Sequence, residues 1–185
     1  MRNVKNKISL IALVVLSSIS LSSVANDGTI TINGQITDTT CDIAVNGGSN
    51  DATVTLPTIS ATSLSGAGTT AGATPFNISV SNCSGTALGT AMTYFEPGSY
   101  VDNSTGRLNI DTTAADAAKN VQVELLNADM NAIVAGASSA NGQNDIPVDI
   151  SSGSGTLNYY ARYYATGKAE PGSVTTQIDY TMTYE

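Results

Sequence analysis

Apolar and polar residues alternate with a period of two over most of this chain, the signature of half-buried β-strands. The earliest instance is Gly28–Ile36, where Ile30, Ile32 and Ile36 share one face and Thr29, Thr31, Asn33 and Gln35 the other. Gln35–Cys41 continues that strand, and Ala52–Leu56 alternates until Pro57. Pro75–Cys83 is the clearest central strand, with Phe76, Ile78 and Val80 on one face and Asn77, Ser79 and Ser81 opposite. Ala91–Phe95 follows and stops at the turn Glu96-Pro97-Gly98; a second turn, Asn103-Ser104-Thr105-Gly106, leads into Leu108 and Ile110. Val121–Leu126 reads as a strand through Val123 and Leu125. The last third is the most strand-like. Thr156–Thr166 carries Tyr159, Tyr160, Tyr163 and Tyr164, Pro171-Gly172 turns the chain, and Val174–Glu185 alternates through Ile178, Tyr180, Met182 and Tyr184. Ser60–Thr74 and Ala135–Asp145 read as loops, and Ala-rich Thr112–Asn120 has room for one helical turn or two. Short strands between frequent turns predict an all-β sandwich or barrel.

The first 25 residues follow a different pattern. Arg2, Lys5 and Lys7 precede the apolar stretch Ile8–Leu21, and Ser23-Val24-Ala25 supplies small residues for cleavage before Asn26. Residues 1–25 are therefore expected to be a signal peptide. The alternative, a retained anchor, has only the apolar stretch to work with, shorter than the roughly 20 residues that span a bilayer. The expected product is soluble and exported, with no membrane insertion after cleavage. Export would leave four cations against fifteen acidic residues, a net charge of −11. That balance argues against nucleic acid or an anionic membrane surface as a partner. No linker or change of composition divides the remaining 160 residues, enough for one domain with a core of its own.

Cys41 and Cys83 are the only cysteines, and both lie in the exported part. An oxidising compartment predicts that they pair with each other. Closing that loop is worth about 4 kcal/mol in the chain-entropy model. No histidine is present to complete a Cys/His metal cluster or to act as base in a Ser-His-Asp or Cys-His mechanism. Carboxylate-pair chemistry stays formally open, but the acidic residues are scattered singly through turns. Gly66, Gly68 and Gly72 miss the dinucleotide fingerprint, and Asn141–Asp145 lacks the spacing of a calcium loop. No catalytic site, cofactor or metal is expected, and the chain reads as something other than an enzyme.

Taken in order, several short motifs resemble the major structural pilins of chaperone–usher fimbriae, the type 1 fimbrial subunit family of Gram-negative bacteria. They are Gly28-Thr29-Ile30-Thr31-Ile32-Asn33-Gly34 leading to Cys41, Thr74-Pro75-Phe76 leading to Asn82-Cys83, Tyr94-Phe95-Glu96-Pro97-Gly98, Thr105-Gly106-Arg107-Leu108, and Ala161-Arg162-Tyr163-Tyr164-Ala165-Thr166-Gly167. Gly172 stands fourteenth from the C-terminus and Tyr184 is penultimate, as in that family's last strand. The resemblance covers essentially the whole exported chain.

It implies an incomplete immunoglobulin-like sandwich that lacks its final strand and is completed by a strand from another chain. Residues 26–33 would be an N-terminal donor-strand extension and residues 34–185 the pilin domain. Gly28, Ile30, Ile32 and Gly34 would point into a neighbour's groove, and Asn26 would fall where exchange begins. Gly172, Ile178, Tyr180, Met182, Tyr184 and Glu185 would form the acceptor groove and the contact with a periplasmic chaperone. Identical or related subunits, that chaperone and an outer-membrane usher would be the partners, with the product in an extracellular fimbrium reached through the periplasm. The implied function is a shaft pilin polymerising by donor-strand exchange. A minor adaptor or tip-proximal pilin would share the same motifs. A secreted Ig-like carbohydrate-binding module is the alternative from another class; it would need a self-complete sandwich, and usually shows exposed aromatics.

Overall fold

A computed structural model describes residues 30–86 and 88–185 of the chain. The expected signal peptide, its cleavage site, and Asn26 and Gly28 lie outside the described residues. Ile36–Glu185 form one compact unit. Residues 30–35 carry no helix or strand, and Ile30 and Ile32 are 91% and 89% exposed.

Among the described residues there are eight strands: β1 Thr40–Val45, β2 Thr70–Ser84, β3 Thr90–Phe95, β4 Leu108–Asn109, β5 Lys119–Leu126, β6 Val148–Asp149, β7 Gly155–Glu170 and β8 Tyr180–Tyr184. They form a five-stranded sheet, β1-β2-β7-β5-β4, and a three-stranded sheet, β6-β3-β8. Every pairing between strands is antiparallel. The period-two pattern decides which side chains meet. Phe76, Ile78 and Val80 of β2, Val123 and Leu125 of β5, and Leu157, Tyr159 and Ala161 of β7 turn inward against Ala91, Phe95 and Met182 of the smaller sheet. Tyr159 sits centrally, stacked on Phe76 at 5.4 Å and edge-on to Phe95 at 5.3 Å. Such pairs add about 0.5–1.5 kcal/mol beyond the area they bury.

Cys41 and Cys83 are joined in a disulfide that ties β1 to β2, as their compartment predicts. β1 shows a register irregularity between Thr40 and Asp42 at the same place. Gly106, at φ +72°, closes the turn into β4; a Cβ there would collide with the Val134–Ala135 backbone. No other residue type fits both the conformation and the space.

Several expectations about where elements begin need correction. The strand expected to run on through Gln35–Cys41 starts only at Thr40, because β2 offers no partner residue before that point, and Ile36 is 99% exposed. Thr112–Asn120 forms no helix: Ala117 bridges to Ser173, and Lys119 and Asn120 already belong to β5. Ser60–Thr74 is only partly a loop. A 3-10 turn capped by Ser60 covers Ala61–Leu64, and the long strand β2 begins at Thr70.

Candidate functional site

The two sheets do not close along one seam. β1 is the edge of the larger sheet and β8 the edge of the smaller, and between them lies an open groove of about 880 Å³. β1 and the segment that follows it contribute Ile43, Val45, Val54 and Leu56. β8 and the residues leading into it contribute Ile178, Tyr180, Met182 and Tyr184. Phe76, Ile78, Phe95, Val123 and Leu125, which belong to the hydrophobic core, reach its lining. These core side chains form the floor of the groove, each 9% exposed or less. Tyr180 Oη donates to the Asn50 carbonyl at 2.8 Å, linking the two walls.

The backbone of β8 is as open as the side chains beneath it. Glu185 exchanges both backbone hydrogen bonds with Thr90, and the Asp179 carbonyl takes the Glu96 N–H. Antiparallel alternation therefore aims the N–H and C=O groups of Tyr180, Met182 and Tyr184 away from β3, toward the groove. The same residues offer both the inward side chains and the free edge. An edge of this kind is a template for another strand.

Four of the six residues expected on the acceptor side, Ile178, Tyr180, Met182 and Tyr184, are brought together here. Gly172 is not among the groove-lining residues. It packs against the backbone of Asp116–Ala118, where a Cβ would overlap Ala118 N and the Asp116 carbonyl. Glu185 is exposed at the end of β8. The expected strand over Val174–Glu185 is assigned only from Tyr180. Before it, Thr175 and Asp179 accept single hydrogen bonds from Asp111 and Glu96 without forming a ladder. On the donor side Ile30, Ile32 and Gly34 lie in the described stretch that carries no helix or strand.

Elsewhere, Glu124 is a buried charge bracketed by two arginines. Arg162 donates to it through Nε and Nη2 at 2.8 and 2.6 Å, and Arg107 Nη1 lies 3.6 Å away. Arg107 also lies over the Tyr164 ring at 3.8 Å. These contacts join β5 to β7 and to the turn before β4. Asp145 is the second buried acid, hydrogen-bonded by Thr93 N–H at 2.7 Å and Tyr159 Oη at 2.9 Å. Burial raises its pKa above the usual carboxylate range, against the pull of those bonds. Burial, and then the Asp145 charge, push the Tyr159 phenol upward. Among the described residues no His/Cys/Asp/Glu group could hold a metal ion, and no helix is long and apolar enough to cross a membrane.

A sandwich open along one seam is the form the resemblance implied, and comparison with known proteins decides its family. The family model for the type-1 fimbrial protein, A (FimA) matches residues 56–185. The chain belongs to the type-1 fimbrial protein family. It is a structural fimbrial subunit. Over 173 residues it is 46% identical to the major fimbrial subunit SMF-1 of Stenotrophomonas maltophilia (strain K279a), covering 92% of this chain and 99% of that relative. Over 183 residues it is 41% identical to the F17 fimbrial protein of Escherichia coli, covering 97% and 99%. The fold is that of the P pilus rod subunit PapA, with a TM-score of 0.53 at 18% identity over 85% of this chain and 100% of that one. Within this family of fimbrial subunits, the open groove is the feature a polymer can use.

Proposed function

We propose that this subunit builds the shaft of an adhesive surface fimbria by placing residues 28–34 in the open groove of the next copy. The observation that carries this reading is the 880 Å³ apolar groove between two strand edges. Its floor is made of core side chains and its β8 wall presents an unpaired backbone edge, and a strand with alternating isoleucines satisfies both. Ile30 and Ile32 are almost fully exposed in the isolated chain. Full burial of an isoleucine is worth about 1.5–3 kcal/mol, so the pair supplies several kcal/mol to each junction. On this reading residues 26–33 are the donor extension and 34–185 the pilin domain. Gly28 and Gly34 fall on the inward face with the two isoleucines.

A subunit that gives a strand forward and keeps a groove open behind makes a heterologous contact, which propagates as an open helical filament. An open groove is also a hazard before assembly. A periplasmic chaperone that lends its own strand, and anchors the exposed terminal carboxylate at Glu185, removes that hazard. Exchange at an outer-membrane usher then delivers the subunit to the extracellular fimbrium. Deleting residues 26–33 tests the reading, since it leaves every groove residue in place. The truncated chain should accumulate with its chaperone and fail to extend a fibre. Fibres of ordinary length from that truncation contradict the donor assignment.

A further inference from the structure

The smaller sheet has a second edge, and its treatment differs from that of β8. β3 directs the backbone groups of Ala91, Thr93 and Phe95 away from β8, by the same alternation that frees the groove edge. β6 covers only Thr90 and Ala91. Beyond it, Thr93 and Phe95 meet no strand. Side chains from the polar loop that precedes β6 take its place. Gln143 Oε1 accepts the Phe95 N–H at 2.9 Å, and its Nε2 donates at 2.7 Å to the Phe95 carbonyl, which the Gly136 N–H also reaches at 3.0 Å. Asp145 Oδ2 accepts the Thr93 N–H at 2.7 Å. Spaced two apart, Gln143 and Asp145 match the spacing of the groups they cover.

Both are held in position by the rest of the fold. Gln143 is fully buried, its N–H donating to the Ser139 and Ala140 carbonyls and its carbonyl accepting from Val134. Asp145 is fixed through its other oxygen by Tyr159. Between them Asn144 is tied by Asn127, whose side-chain amide donates to the Asn144 carbonyl.

We propose that Gln143 and Asp145 act as a side-chain strand that seals the outer edge of β3, confining strand addition to the single groove beside β8. They are positioning residues for assembly specificity: they make the subunit accept one strand rather than two. The inference rests on the donor reading above for the identity of the strand excluded. Without them the N–H groups of Thr93 and Phe95 would lose the acceptors they have here, while Gly136 still held the Phe95 carbonyl, and would offer an exposed donor segment a second template; a subunit with two acceptor edges would branch or bundle its fibres.

The test uses assembled fibres and a labelled peptide with the sequence of residues 28–35. Wild-type fibres, with grooves filled by neighbours, should take up no peptide. Fibres of Gln143→Ala, and of Gln143→Leu should the first assemble poorly, should take up peptide toward one per subunit and associate laterally. Backbone amide exchange at Thr93 and Phe95 provides a second readout that needs no peptide. Exchange at Phe95 should rise by roughly tenfold or more in the Gln143 variants, as for a group moved from a paired strand to a frayed edge. Asp145→Asn, which keeps an acceptor for Thr93, should leave Thr93 protected. Peptide uptake no greater in the variants than in wild type, with Phe95 still protected, would overturn the inference. Wild-type fibres that bind peptide one-to-one would instead count against the donor reading, leaving the edge inference to be judged on the difference between variant and wild type and on the exchange rates.

Discussion

Replacing Ile32 with alanine separates the energy of assembly from the energy of folding. Ile32 is 89% exposed in the single chain, so its truncation should leave the subunit's own stability within about 0.5 kcal/mol of wild type, as for any surface site. On the proposed reading the same side chain enters, in the fibre, the groove lined by Ile43, Phe76, Val123 and Met182. Removing its three outer carbons forfeits about 2–3 kcal/mol of transfer energy. The cavity left behind brings the total cost to roughly 2–5 kcal/mol. At about 1.4 kcal/mol per factor of ten, each junction should weaken by roughly thirtyfold or more. The assay measures fibre dissociation and single-subunit unfolding across the same guanidinium series. Subunit unfolding can be followed by tyrosine fluorescence, since the chain has eight tyrosines and no tryptophan. Thr31→Ala, on the opposite face of the strand, serves as the control. A fibre midpoint unchanged by Ile32→Ala, or a loss of subunit stability matching the loss in the fibre, would refute the reasoning.

Other consequences reach the rest of the sandwich. Cys41→Ser removes the tie between β1 and β2 that holds one groove wall, and should lower subunit stability by about 2–4 kcal/mol and reduce its yield in the periplasm; a denaturation midpoint equal to wild type would contradict this. Glu124→Gln leaves Arg107 and Arg162 without their shared carboxylate, and since both arginines keep some solvent contact the cost should be about 1–3 kcal/mol, read from urea denaturation. Asp145 has a folded-state pKa above its unfolded value, so its contribution is fully present below the ordinary carboxyl range and is lost as pH rises through the raised value. Asp145→Asn should therefore compare most favourably with wild type at neutral pH and lose ground on acidification, whereas a difference flat from pH 7 to pH 4 would argue against the cause assigned.

Most strands were legible because one face is buried and the other solvated, which writes the period of two into the chain. Phe76, Ile78 and Val80 alternate as inner residues of β2, and Tyr180, Met182 and Tyr184 likewise on β8. Alternation does not say whether a strand has a partner. Gly28–Ile36 carries the same pattern as β2, yet its described part stands outside both sheets, and the family's motifs rather than the period pointed to its separate role. Val174–Asp179 alternates too, but runs beyond the end of β3, where pairing stops. Ala52–Leu56 was legible as alternation but not as a groove wall, because its Val54 and Leu56 line the opening without joining either sheet. Gln143 and Asp145 sat in a stretch read as a polar loop. Their roles depend on backbone groups about 50 residues earlier in the chain, which no local pattern records. The glutamate shared by Arg107 and Arg162 is equally silent, since its partners come from two other elements.

The central claim is that the strand completing each sandwich comes from the neighbouring subunit. A cryo-electron microscopy reconstruction of isolated fibres tests it most directly. Residues 28–34 of one subunit should appear as a strand between β1 and β8 of the next, hydrogen-bonded to Tyr180–Tyr184, with Ile30 and Ile32 facing inward. A groove left empty, or filled by a segment of its own chain, would contradict the account.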